Sequence, residues 1–182
     1  MVLILRKINL GIFKKIFSDF IIPVALAVVL AMLINRFLVF KIYIPSLSMS
    51  PTLEVGDQCF ATKIYNTNNI KRGDIIVFYS NELGELLIKR VIGLPGEHVE
   101  IDTEGNVSIN ATKLDEPYVV NKTAVSDRYV FDVPADHFLF LGDNRSNSRD
   151  SRFWKDPYID KKDIKGKARI RVFPFNRFGI LK

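Results

Sequence analysis

The hydrophobic pattern near the N-terminus is one unbroken apolar run. Residues 20–34, FIIPVALAVVLAMLI, carry no charged or polar side chain. As a helix this run is about 23 Å long, short of the ~30 Å hydrocarbon core of a bilayer. Polar residues on either side, Asp19 and Asn35, can lengthen it, because they lie at the depth of the headgroups. The pattern predicts a transmembrane signal anchor over residues 18–36.

Two other interpretations of the run are a buried core helix and the hydrophobic region of a cleaved signal peptide. Cleavage is disfavoured, because the small-x-small site Ala25-Leu26-Ala27 lies inside the run and not after it. Four cations precede the span and predict a cytoplasmic N-terminus: Arg6, Lys7, Lys14 and Lys15. Residues 1–17 are therefore a basic cytoplasmic segment, either an in-plane helix on anionic lipid or a disordered tail.

After residue 36 the pattern changes to short β-rich runs separated by turn sequences. Such spacing is typical of antiparallel sheets. We predict an all-β catalytic domain of antiparallel sheets over residues 37–182, outside the cytoplasm, with a small subdomain or flap at 97–128. The candidate strands are 37–44, 58–65, 74–80, 85–93, 98–102, 106–110, 137–142 and 168–173.

Composition adds little chemistry but excludes several classes of protein. The net charge of +6 suits nucleic acid or an anionic membrane equally well. Because cations cluster before the apolar run, we attribute the charge to membrane topology and expect no nucleic-acid partner. The single cysteine, Cys59, excludes an internal disulfide and is interpreted as a small buried hydrophobe. With only two histidines, no metal site and no cofactor are expected.

A serine-rich segment, PSLSMSPTL at residues 45–53, follows the apolar run. If it is extended, Ser46 and Ser48 point the same way. A serine hydroxyl is a poor nucleophile until a base removes its proton. The usual base is histidine, but His98 and His137 carry no triad signature, and both are interpreted as surface or turn residues.

Lys89 is the alternative base. In ELLIKRVIG, strand alternation places Lys89 on the same face as Leu87 and Val91. An ammonium held among apolar side chains is destabilised, so its pKa falls; reaching ~8 needs roughly 3 kcal/mol. A strand lysine that reaches out to solvent fits the segment equally well, and the segment alone leaves both interpretations open.

Three motifs in order, PSLSMSPTL, IKRVIGLPGE and GDNRSNSRDSRFW, resemble bacterial type I signal peptidase, and RGDIIVF resembles a further block of that family. The resemblance runs from about Ile42 to Trp154. It implies a Ser/Lys serine protease with a β-sheet catalytic fold that faces away from the cytoplasm. Such enzymes cut signal peptides after Ala-x-Ala-like sequences.

The resemblance also implies roles for individual residues. Ser48 matches the nucleophile and Lys89 its general base. Ser46 matches the position whose hydroxyl forms the oxyanion hole together with the Ser48 backbone N–H. Ser148 matches the serine that orients the lysine amine.

Further residues match structural and substrate-binding positions of the family. Asp150 and Arg152 match an ion pair that holds their loop, and the charged, Asn/Ser-rich stretch from Asp143 to Arg152 reads as a scaffold bonded to itself. Branched apolar walls would admit alanine and exclude larger side chains. The residues implied for these pockets are Ile42, Ile44, Val77, Leu87 and Ile88.

The implied partners are secretory preproteins, the phospholipid membrane and, functionally, the protein export machinery. The implied location is the bacterial cell membrane, crossed once with the N-terminus in the cytoplasm. Two rival interpretations are a self-cleaving repressor of the same Ser/Lys fold group and an inactive, membrane-tethered paralogue. The repressor requires an N-terminal DNA-binding domain where this chain has its apolar run.

Aromatic residues of the soluble part suggest one more hypothesis, that some of them dip into the outer face of the membrane. For any single one, packing in the core is the alternative. The residues are Phe131, Trp154, Phe173, Phe175 and Phe178.

Overall fold

The structure is a computed structural model that describes residues 14–120, 122–124 and 126–181. The chain forms two compact units, Met1–Val39 and Phe40–Lys182. Most of the basic segment predicted for residues 1–17 lies outside the described residues, so its in-plane helix stays a prediction.

The N-terminal unit contains a helix from Lys14 to Phe37 with a mean hydropathy of 2.5. It begins as an α-turn, passes through a π-helical stretch, Phe17–Ile21, and continues as α1, Ile22–Phe37. Its 24 residues span about 36 Å at 1.5 Å per residue, and no described side chain in it is buried. The helix is thus longer than the apolar run and, by length and composition, suffices to cross a bilayer.

The second unit is built on strands that pair antiparallel at every register that the structure shows, which confirms the predicted all-β class. The order in the larger sheet is β1-β2-β11-β3-β4-β9-β10, with β12 paired to β11, and in the smaller sheet β7-β6-β5-β8. The strands are β1 (Val39–Tyr43), β2 (Gln58–Lys63), β3 (Ile75–Ser80), β4 (Glu85–Gly93), β5 (His98–Ile101), β6 (Val107–Ile109), β7 (Thr112–Lys113), β8 (Tyr129–Asp132), β9 (His137–Leu141), β10 (Tyr158–Asp160), β11 (Ile164–Phe173) and β12 (Gly179–Ile180).

All eight predicted strands overlap observed ones, and the strands that sequence reasoning missed have two to four residues each. The missed strands are β7, β8, β10 and β12. Each of these short segments buries at most one residue, so they leave no alternation to detect. The segment 97–128, predicted as a small subdomain or flap, forms most of the smaller sheet, which continues to Asp132.

Apolar side chains join the two sheets into one core. Ile92 and Leu141 of the larger sheet cluster with Val99, Ile101 and Phe131 of the smaller one. A separate cluster lies beneath the segment that follows β1, and it contains Ile44, Met49, Leu53, Cys59, Ile75 and Ala168. Cys59 is therefore the buried hydrophobe that was predicted.

The five candidate membrane-dipping aromatics fall into two groups. Phe131 and Trp154 are buried in the core, so the hypothesis is wrong for them. Phe173, Phe175 and Phe178 are exposed, and the hypothesis stays open for these three.

Candidate active site

Residues 44–57, which we call the serine loop, connect β1 to β2 and carry both candidate serines. The segment 46–52 is a series of turns, so the extended conformation considered for it is wrong. The Ser50 N–H donates to the Leu47 carbonyl, and the Leu53 N–H donates to the Met49 carbonyl. The turns nevertheless bring the hydroxyls of Ser46 and Ser48 to 3.3 Å from each other.

Ser48 and Lys89 meet in a buried position. The Lys89 Nζ lies 2.6 Å from the Ser48 Oγ, within hydrogen-bond distance. Lys89 belongs to β4 and is only 4% exposed to solvent. Ser48 is 7% exposed. The interpretation of Lys89 as a strand lysine that reaches solvent is therefore wrong. A neutral amine here would accept the hydroxyl proton of Ser48.

Burial lowers the pKa of Lys89 to about 8, because the surrounding protein replaces the water that would stabilise the ammonium. Asp150, Asp143 and Glu85 oppose this shift through their negative charge, but they are too weak to cancel it. A substantial share of the amine is therefore neutral at pH values at which an ordinary lysine stays protonated.

Two donors lie near the place where an oxyanion would form on attack by Ser48. The Ser46 hydroxyl is next to the Ser48 hydroxyl, and Ser46 itself is exposed. Within the described part of the chain, the Ser48 backbone N–H is bonded to no acceptor. The Ser48 N–H is thus available to bind a third group, whereas the Ser46 hydroxyl already shares a hydrogen bond with the Ser48 hydroxyl.

The 142–154 loop, between β9 and β10, packs directly against the serine loop. Gly142 marks the closest approach: a Cβ built there would lie 2.2 Å from Ser148 Oγ and 2.4 Å from the Ser48 carbonyl oxygen. Ser148 is buried, and its Oγ makes no hydrogen bond with any described residue. Its role in orienting the Lys89 amine therefore stays a prediction.

The ion pair between Asp150 and Arg152 is present in this loop. The Arg152 Nε donates to Asp150 Oδ1 at 2.8 Å, and both side chains are buried. The second carboxylate oxygen of Asp150 accepts from the Gly142 N–H at 2.9 Å. The pair therefore fixes the backbone of Gly142, the residue in contact with Ser48.

The expectation that the charges of this loop bind each other is wrong for Asp143 and Arg145. Asp143 forms a buried pair with Arg90 of β4 at 2.7 Å, and Arg145 forms a buried pair with Glu116 at 2.5 Å. Both partners are far away in the sequence. Glu116 belongs to the segment of the smaller sheet, so this pair connects that sheet to the 142–154 loop.

Sequence reasoning also missed Asn144. Its backbone N–H donates to the Ser48 carbonyl at 3.1 Å, and its side-chain amide donates to the Leu47 carbonyl at the same distance. These bonds hold the backbone on both sides of the Ser48 nitrogen. The position of Asn144 at the start of the GDNRSNSRD motif was the one available signal.

An open groove of about 280 Å³ is lined by residues of β1, β3 and β4 and by the start of the serine loop. Its walls are mostly branched or aromatic side chains. All five residues implied for the substrate pockets line it. The complete lining is Phe40, Lys41, Ile42, Tyr43, Ile44, Pro45, Val77, Leu86, Leu87 and Ile88.

The two histidines are engaged elsewhere. His98 lies in the smaller sheet, where its ring nitrogens contact Asp132 and Glu100. His137 contacts the Ala135 carbonyl. Neither contact involves a serine, whereas the Lys89 amine contacts the Ser48 hydroxyl.

Comparison with known proteins gives consistent results. A sequence model of the family described as "Signal peptidase, peptidase S26" matches residues 17–173. Signal peptidase I of Leptolyngbya laminosa is 47% identical over 87% of this chain and 80% of its own length. Signal peptidase IB of Staphylococcus aureus is 33% identical over 91% of this chain and 94% of its own length. A crystal structure of a signal peptidase I from Enterococcus faecalis matches with a TM-score of 0.48 and 30% identity, over 54% of this chain and 96% of that one.

Proposed function

This chain belongs to the peptidase S26 family of signal peptidases, and we propose that it is a membrane-anchored endopeptidase with a Ser48/Lys89 dyad. It removes N-terminal signal peptides from exported preproteins after Ala-x-Ala-like sites. The observation that carries the proposal is the 2.6 Å contact between Lys89 Nζ and Ser48 Oγ in a buried position.

The first step is acylation of Ser48. The neutral Lys89 amine takes the hydroxyl proton while the Ser48 oxygen attacks the scissile carbonyl. The Ser46 hydroxyl and the Ser48 N–H donate to the oxyanion that forms. The protonated amine then delivers its proton to the leaving nitrogen, which becomes the N-terminus of the mature protein. Because burial lowers the pKa of Lys89 to about 8, the amine can both take and release this proton near neutral pH.

The second step is deacylation. Lys89, neutral again after the leaving group has gone, removes a proton from a water molecule that attacks the acyl carbonyl. The same two donors stabilise the second oxyanion. Removing one such donor typically costs about 100-fold or more in rate, so Ser46→Ala should lower kcat by that factor.

The groove selects substrates that have small side chains before the cut. Ile42, Ile44 and Ile88 narrow it with branched side chains that cannot rotate away cheaply. Alanine fits such a space, and a larger side chain would have to displace the walls. Ile44→Ala should therefore admit substrates with a larger residue before the cut.

The membrane context follows from the N-terminal helix. We assign Lys14–Phe37 as the anchor in the bacterial cell membrane, with the cations before it in the cytoplasm. The catalytic domain then lies on the outer side, where secreted preproteins emerge from the export machinery. The exposed Phe173, Phe175 and Phe178 would contact the same membrane surface.

The test uses the full chain, purified in detergent and incubated with a preprotein. Sequencing of the new N-terminus should show cleavage after a small residue, and Ser48→Ala should abolish it. Lys89→Ala should abolish it as well, in a variant that still folds. Cleavage that persists without Lys89 would overturn the dyad, and a wild-type chain that cuts no preprotein would favour the inactive paralogue.

A further inference from the structure

The C-terminal part of the chain carries two arginines that bind the backbone of the serine loop. Arg171 lies in β11, and Arg177 ends the short 3-10 turn that follows it. The Arg171 guanidinium donates to the Thr52 carbonyl at 2.8 Å, and the Arg177 guanidinium donates to the Pro51 carbonyl at 3.1 Å. These carbonyls come only three and four residues after Ser48. The arginines therefore reach the loop close to the candidate nucleophile.

A buried carboxylate ties the two arginines together. Asp57, at the end of the serine loop, is 1% exposed. Its Oδ2 lies 3.2 Å from Arg171 and its Oδ1 lies 3.3 Å from Arg177. Asp57 also accepts from the Glu54 N–H at 2.9 Å, within the loop itself. Because a buried carboxylate needs such partners, we treat Asp57, Arg171 and Arg177 as one unit, the arginine clamp.

A further hydrogen bond joins the two arginines of the clamp. The Arg171 Nε donates to the Arg177 carbonyl at 2.5 Å. This bond joins the Arg171 side chain to the backbone of Arg177, while both guanidinium groups bind the serine loop. The segment that contains β11 and the following turn therefore supports the loop at residues 51 and 52.

The two ends of the serine loop are held by different parts of the fold. Asn144 binds the carbonyls of Leu47 and Ser48, whereas the clamp binds those of Pro51 and Thr52. The position of the Ser48 hydroxyl follows from both supports. The clamp side chains make no described contact with Ser48 or Lys89.

We propose that Arg171 and Arg177, fixed by Asp57, are positioning residues that keep the Ser48 hydroxyl within reach of the Lys89 amine. The proposal rests on the proposed peptidase function of the Ser48/Lys89 pair. The clamp lines no part of the described groove, so its loss should leave substrate binding intact. A displacement of about 1 Å in a reacting group can cost 100-fold in rate, so kcat should fall by about 10–100-fold.

The kinetic test compares Arg177→Ala with Arg177→Lys and Arg169→Ala in the full chain, in detergent. Arg169 is a matched control, because it lies on the same strand β11 but binds the Thr62 hydroxyl and not the serine loop. With a peptide that spans a signal-peptide cleavage site, Arg177→Ala should lower kcat while KM stays within about twofold. Arg177→Lys keeps the charge and one donor, so it should recover part of kcat. Arg169→Ala should match the wild type.

A second measurement does not depend on activity. The amides of Ser50 and Leu53 are hydrogen-bonded within the loop, and their hydrogen exchange reports local opening. Arg177→Ala should accelerate this exchange by about tenfold or more, and Arg169→Ala should not. If Arg177→Ala fails to fold, as judged by the fluorescence of the core residue Trp154, Arg177→Lys takes its place in both measurements.

The outcomes separate the clamp from the proposed function. Unchanged kcat and unchanged exchange in the Arg177 variants would overturn the clamp, and so would an effect confined to KM. A wild-type chain that cuts no preprotein would overturn the peptidase proposal. Loop exchange would still show whether the arginines hold the loop, but a positioning role in catalysis would fall with the peptidase.

Discussion

Lys89 and Arg90 are neighbours on β4, and both are almost completely buried, with exposures of 4% and 2%. Their surroundings differ. Arg90 donates twice to Asp143, at 2.7 and 2.8 Å, once to the Gly73 carbonyl, and its guanidinium lies 3.9 Å from the centre of the Tyr118 ring. Lys89 forms no ion pair with a described residue, and its amine contacts the hydroxyl of Ser48.

The difference between the two shows how one strand holds both a paired charge and an amine with a lowered pKa. A buried cation with a carboxylate and further acceptors stays charged, and it stabilises the fold as long as the partners remain. A buried ammonium without a paired carboxylate loses its hydration and becomes easier to deprotonate. Strand alternation separates the two, because adjacent residues face opposite sides of the sheet.

Lys89→Arg should produce the largest effect. Arginine keeps a positive charge at this position but cannot give up its proton, so it cannot serve as a base. We expect kcat to fall by about 10⁴-fold or more, as in other enzymes that lose a member of the nucleophile–base pair. Lys89→Met is the matched variant without a charge, and it should lose the same activity. Preprotein cleavage that survives in either variant would contradict the role of the amine.

Asp143→Ala should produce the largest loss of stability. It leaves Arg90 as a buried charge without its carboxylate, which costs about 3–5 kcal/mol in the free energy of unfolding. Urea unfolding can be followed by the fluorescence of Trp154, the single tryptophan. The double variant Arg90→Met/Asp143→Leu removes both charges and should recover most of the loss. A single variant as stable as the wild type would refute the structural role of this pair.

The stability of the wild type relative to Lys89→Met should depend on pH. Burial lowers the pKa of Lys89 to about 8 in the folded chain, from an ordinary value of 10.5. Between these values the unfolded chain binds more protons at this residue, so the stability of the wild type rises with pH across this window and is lost as pH falls from 10.5 to 8. The difference in unfolding free energy between the two proteins should change by about 2–3 kcal/mol from pH 8 to pH 10.5. A constant difference would mean that burial does not shift this pKa.

The rate should depend on pH through the same group. Because only the neutral amine is active in the proposed mechanism, kcat should rise about tenfold per pH unit below 8 and level off above it. The rate at pH 6 should then be about 100-fold below the plateau. Single-turnover cleavage at saturating peptide measures this rise of the rate with pH without interference from product release. A rise centred near pH 6.5 would instead indicate a histidine.

Ser148→Ala should have the smallest effect. It tests the predicted role of Ser148 beside Ser48 and Lys89. Its buried hydroxyl lacks a described partner, so removing it should raise the unfolding free energy by about 1 kcal/mol. The predicted role in orienting the Lys89 amine requires a simultaneous fall in kcat of about tenfold. Ser126→Ala, which alters an exposed hydroxyl that contacts Asp127 and lies outside both loops, is the control. An unchanged kcat in Ser148→Ala would remove this residue from the mechanism.

Local patterns in the sequence predicted the sheet, but they left open whether Lys89 is buried or reaches solvent. Alternation along ELLIKRVIG separates the faces of β4, and the motifs shared with the family place Ser48 opposite it. Partners across the chain were beyond this reasoning, because pairs such as Asp143 with Arg90 or Arg177 with Pro51 exist only once the fold brings them together. The extended conformation considered for the serine loop was wrong for another reason, because Pro and Ser stabilise turns as readily as extended chain.

Gly142 has a consequence for how this sequence can vary. Its missing side chain lets two loops touch where one carries Ser48 and the other Ser148. Even the methyl group of an alanine would push the two loops apart, because the neighbouring atoms include backbone atoms that cannot rotate aside. Random mutagenesis scored by cleavage of a preprotein should therefore yield almost no active variants at this codon, although glycine contributes no side chain to the chemistry.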